Sequence, residues 1–126
     1  MRIPAFFAAL ALSALAPSAL QAHVELTAST PAAGATAKAI KTITLTFSQP
    51  VVQANAAASI IMTAMPGMAN HGEMPIRNFT TSWSADRKTM TLTLKKPLPT
   101  GSYDVRWQAA SADGHPMKGA VAFEVK

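Results

Sequence analysis

Four of the chain's seven methionines, Met62, Met65, Met68 and Met74, fall within thirteen residues, and His71 occupies the remaining place in a spacing of three. On a helix that spacing would build an apolar stripe for core packing. Pro66, Gly67, Gly72 and Pro75 oppose a sustained helix, because proline removes backbone donors and glycine loosens the chain. The window therefore reads as a loop, where thioethers are not needed to fill a core. A thioether is soft, polarisable and uncharged, and among biological metals it suits Cu(I). Three or four sulfurs with one imidazole can surround an ion whose filled d shell imposes no geometry. Two other uses of the same residues stay open: Met62 ends an apolar run and serves equally well as packing, and a methionine-rich surface can hold a protein partner.

The other two histidines make a second constellation of different hardness. Ser111-Ala112-Asp113-Gly114-His115-Pro116 supplies a carboxylate and an imidazole two residues apart, and in extended chain such residues project to one side. His23 follows a stretch with the pattern of a secretory signal. Cleavage after Ala22 would make His23 the amino terminus, with an amine of pKa about 7.7–8.0 that a metal can deprotonate at neutral pH. Amine and ring of His23 then chelate together, and with Asp113 and His115 they offer nitrogen and oxygen to a tetragonal Cu(II). Asp113 alone also reads as an ordinary turn residue bonded to its own backbone. Glu25 lies near His23, but strand alternation turns it partly away.

These ligands must be positioned by what surrounds them. Residues 1–22 carry Arg2, an apolar run of about 14 residues and the helix-breaking Pro17, which is too short for a span of about 20 and fits a signal peptide. Residues 23–126 remain as one domain, enough for a single small core. With no cysteine there is no disulfide or thiolate, so any soft ligand must be methionine. The net charge of +5 comes from dispersed lysines and arginines without a basic run, which argues against nucleic-acid binding. No segment of the mature chain is apolar for long enough to be embedded in a membrane.

Alternation with period two runs through the mature chain: Val24 and Leu26, then Ile43, Leu45 and Phe47. Phe79–Trp83 and Met90, Leu92 and Leu94 follow, with Ala85-Asp86-Arg87-Lys88 as the turn between them. Tyr103, Val105 and Trp107, then Val121, Phe123 and Val125, complete the pattern. Ser59–Thr63 is a short apolar run that reads as a strand buried on both sides. Seven short strands with turns between them predict an all-β, antiparallel sandwich of immunoglobulin type.

At these residues the chain resembles the CopC family (also PcoC), small copper-resistance proteins. The likeness rests on His23, Ser29-Thr30-Pro31, Phe47-Ser48, Met62-Thr63-Ala64-Met65-Pro66-Gly67-Met68, Asp113-Gly114-His115-Pro116 and the ending from Gly119 to Lys126. It implies a seven-stranded Greek-key, cupredoxin-like barrel in the periplasm. It also implies a Cu(I) site at Met62, Met65, Met68, His71 and Met74 and a Cu(II) site at His23, Asp113 and His115. The resemblance further implies copper homeostasis, with metal passed to a CopD-like inner-membrane copper permease or a multicopper oxidase. Gln49 stands where many relatives carry a glutamate that assists Cu(II), and His71 sits one residue further from Met68 than the family pattern has it.

The expected function is thus a copper carrier or buffer rather than an enzyme. Two alternatives remain: a copper-brace oxidative enzyme, suggested by a terminal histidine with a second histidine, and an interaction module with no metal role.

Overall fold

The computed structural model describes residues 23–68, 72–112 and 114–126. The expected signal segment, His71 and Asp113 lie outside the described residues.

The first sheet runs in the order β1 (Leu26–Thr30), β3 (Thr42–Phe47), β7 (Thr89–Leu94), β6 (Phe79–Trp83). The second runs β2 (Thr36–Ala37), β9 (Pro116–Val125), β8 (Gly101–Ala110), β4 (Ala57–Ala64), β5 (Met74–Ile76). A 3₁₀ turn, Gln53–Asn55, precedes β4. The all-β sandwich is as expected, but the strand count is nine among the described residues rather than seven. The two extra strands have two and three residues, too short to show alternation in a sequence. β5 contains Pro75, which an edge strand tolerates because one side of its backbone has no ladder to feed. β2 pairs with β9 in parallel, the one departure from the antiparallel pattern among the described residues.

Alternation places the core as the sequence implies. Ile43 lies opposite Leu92 and Leu45 opposite Met90 across the β3–β7 ladder, and all four are buried. Ile60, Met62, Tyr103, Val105, Trp107, Val121, Phe123 and Val125 close the core from the second sheet. β4 is not buried on both faces: Ile60 and Met62 face inward, while Ile61 between them is only half-buried. β4 has strands on both sides in its sheet, and that flanking uses its backbone, not its outer face.

Two details set the ends of β8, where the candidate ligands gather. Near its start, the buried Tyr103 hydroxyl donates to the Pro99 carbonyl at 2.6 Å, so its phenol enters the core without an orphaned donor. Further along, Trp107 meets Phe47 edge to face at 5.2 Å and lies directly against Gly119. A Cβ at Gly119 would come within 2.6 Å of the indole, so only glycine allows β9 to pass beneath that ring.

Candidate metal centre

The methionine loop hangs from the β4–β5 hairpin. Met62 and Met74 are direct partners across that ladder, and directly opposite residues share a face of the sheet. Between them the chain leaves and returns, with a turn in which the Met68 amide donates to the Met65 carbonyl at 3.1 Å. Gly67 and Gly72 both hold positive φ, a conformation that glycine takes without a steric penalty. The window is thus a turn only in its middle, as Pro66 and the glycines imply; Met62 and Met74 at its ends stand in β4 and β5 rather than on a loop, because the two strands pair there.

The four methionines do not share one environment. Met62 is 2% exposed and belongs to the core, and Met65 packs partly against it. Met68 and Met74 are 54% and 43% exposed. Among the described residues only Val52 joins them as an exposed large apolar side chain, so two of those three are methionines of this segment. Core packing therefore does not account for these two thioethers, and a soft-metal ligand and a partner surface are the uses left to them. His71 belongs to this loop by sequence and lies outside the described residues.

The histidines meet at the other end of the sandwich. Before β1, the Ser48 amide donates to the Glu25 carbonyl at 2.8 Å, and the Glu25 amide donates to Ser48 Oγ at 2.9 Å. This pair of bonds pins the start of the domain beside the end of β3. Gln49 Nε2 adds a long contact to the His23 carbonyl, 3.4 Å. From the second sheet, the β8–β9 hairpin turns at Ser111–Gly114, where the Gly114 amide donates to the Ser111 carbonyl at 2.9 Å and Gly114 holds φ +82. That turn delivers His115. The Val52 amide, donating to the Ala110 carbonyl at 2.9 Å, ties the segment after β3 to the end of β8.

The result is a His23–His115 pair with ring centroids 5.4 Å apart and planes inclined by 31°. With metal–nitrogen bonds of about 2.0 Å and roughly 1.2 Å from nitrogen to ring centre, two imidazoles on one ion have centres about 4.5–6.3 Å apart. The observed separation falls inside that window without backbone movement. The two lie 92 positions apart in sequence, so only the fold brings them together. Asp113 precedes Gly114 in sequence and lies outside the described residues. Among the described residues no three His, Asp or Glu side chains gather, so the pair is the described part of this centre.

The two groups stand far apart. Met62 pairs with Tyr103 near the start of β8, and Pro116, next to His115, pairs with Ala110 at its end. At about 3.3 Å per residue that strand holds them roughly 23 Å apart.

One cluster near the loop escaped the sequence reading. Arg106 Nη1 and Nη2 donate to the two carboxylate oxygens of Glu73 at 3.1 and 2.6 Å, and Nη2 also reaches Asp104 Oδ2 at 3.2 Å. The Arg106 hydrogen bonds, with its charge, hold the Glu73 carboxyl below the usual carboxylate range, and both acids raise the guanidinium. Only the i, i+2 placement of Asp104 and Arg106 on a strand hinted at a shared face; nothing in the sequence ties either to Glu73.

Similarity to known proteins accords with this geometry. The CopC domain matches over residues 26–126. Copper resistance protein C of Pseudomonas syringae pv. tomato is 44% identical over 121 residues, covering 96% of this chain and 91% of that protein. Copper resistance protein C of Xanthomonas campestris pv. juglandis is 39% identical, covering 90% and 88%. The crystal structure of PcoC, a methionine-rich copper resistance protein from Escherichia coli, superposes with a TM-score of 0.75 at 37% identity, covering 83% of this chain and all of that one. The β sandwich agrees with that likeness, and the chain belongs to the CopC family.

Proposed function

We propose that the protein binds copper in the periplasm and buffers or carries it without catalysing a reaction, serving copper resistance and homeostasis. The carrying observation is the His23–His115 pair, 5.4 Å between ring centres and at the position where export would free an amine. In this reading His23, Asp113 and His115 take Cu(II), because nitrogen and carboxylate oxygen suit the harder, tetragonal ion. Met65, Met68, His71 and Met74 take Cu(I), because thioethers suit the softer one. Met62 shares their strand pair, but its enclosure makes it the loop's anchor in the core rather than a leading ligand.

With the two groups at opposite ends of β8, one ion does not pass directly between them inside one molecule. Each site exchanges copper with its own partner, for which an inner-membrane permease or a multicopper oxidase is the family-based expectation. Titration of the processed protein, beginning at His23, tests the proposal. One equivalent each of Cu(I) and Cu(II) is expected, the first lost on M65L/M68L and the second on H115A. Unchanged stoichiometry in those variants overturns it. The same histidine pair also favours, as a second reading, a copper-brace oxidative enzyme; copper-dependent peroxide formation with oxidised sugar products would establish that reading in place of a carrier.

A further inference from the structure

The methionine loop is held unequally at its two ends. It leaves from β4, an eight-residue strand, and returns into β5, three residues at the sheet edge that among the described strands pair only with β4. Glu73 is the last residue before that return, adjacent to Met74. Its carboxylate is gripped by both arms of Arg106, which belongs to β8 on the far side of β4. The ion pair therefore straddles β4 and fastens the returning chain to the middle of the sheet. Asp104, two residues along β8, accepts a further bond from the same guanidinium and keeps it from swinging away with Glu73. A planar fork on a carboxylate fixes direction as well as distance, which a lysine would not do.

We propose that Arg106 is a positioning residue for the methionine segment: through Glu73 it fixes the point where the chain rejoins the sheet, so that Met74 is arranged for a soft monovalent ion before it arrives. The inference rests on the reading that this loop binds Cu(I). The physical gain is entropic. A loop whose two ends are already fixed loses less freedom on closing around an ion than one with a frayed return. An exposed ion pair, with side chains 42% and 58% accessible, contributes modestly, so the effect is on loop order rather than on global stability.

The test compares the processed wild type with R106Q, E73Q, the R106Q/E73Q double variant and M65L/M68L. Each competes for Cu(I) with a colorimetric chelator under anaerobic conditions, and separate Cu(II) titrations and thermal melts are run. The expected result is a loss of Cu(I) affinity of about two- to fivefold in each single variant. The double variant should be no weaker than either single, Cu(II) affinity and the melting midpoint should stay unchanged, and amide exchange at Gly72 and Glu73 should accelerate. A loss below twofold in both single variants, an additive double variant, or an equal loss of Cu(II) affinity overturns the positioning role. If M65L/M68L loses Cu(I) while the Arg106 and Glu73 variants do not, the positioning role fails and the Cu(I) reading stands. If M65L/M68L also binds Cu(I) as wild type does, the Cu(I) reading fails and takes the positioning role with it.

Discussion

Substituting Met62 and Met68 in parallel separates packing from ligation. Met62 is 2% exposed, and its Cε lies 3.2 Å from where a Cβ on Gly101 would stand, so its methyl fills space against β8. Truncation to alanine removes most of that volume from a core that cannot fully collapse, and such changes cost about 2–5 kcal/mol. For a domain of about 100 residues each kcal/mol lowers the melting midpoint by roughly 4–8 °C, so M62A should melt at least about 8 °C below wild type. M62L keeps the volume and loses only the sulfur, with an expected cost under about 1.5 kcal/mol. Met68, 54% exposed, has little packing to lose, and M68A should stay within about 0.5 kcal/mol of wild type. Cu(I) binding should follow the opposite order: M68A and M68L weaken it by about tenfold or more through loss of a soft ligand, and M62L leaves it nearly unchanged. The assays are urea unfolding followed by tryptophan fluorescence and anaerobic competition for Cu(I). If M62L weakened Cu(I) as much as M68L does, the enclosed sulfur would be a ligand and the inference from burial would be wrong. If M68A destabilised the fold as much as M62A does, the loop would be part of the core instead.

Two further outcomes follow from single positions. G119A should destabilise the fold by about 1–3 kcal/mol in chemical denaturation, because the new methyl would sit 2.6 Å from a Trp107 ring already braced against Phe47; stability equal to wild type would show that the indole can move aside. Q49E places a carboxylate beside the His23 carbonyl, where an amide nitrogen now stands at 3.4 Å, and should strengthen Cu(II) binding by about tenfold with Cu(I) binding unchanged. Unaltered Cu(II) affinity in a competition titration would place that side chain outside the ion's reach.

Much of this architecture was legible in local pattern. The alternation of Ile43, Leu45 and Phe47, and of Met90, Leu92 and Leu94, determined which faces are buried, since side chains alternate across a strand and water drives apolar ones to one side. Pro66, Gly67 and Gly72 likewise determined that the chain carrying Met65 and Met68 turns, because backbone preferences act within a few residues, whereas Met62 and Met74 stand in the flanking strands. β2 and β5 were not legible, as two or three residues cannot display a period. Nor could the sequence tell Met62 from Met68, which have the same chemistry, until the sheet enclosed one and left the other in water. Ligand types are a property of composition and spacing, and those the sequence supplied by itself. The 5.4 Å approach of His23 to His115 and the grip of Arg106 on Glu73 across β4 join residues 92 and 33 positions apart. Such contacts depend on strand order and register across the whole domain, and only the tertiary structure decided them.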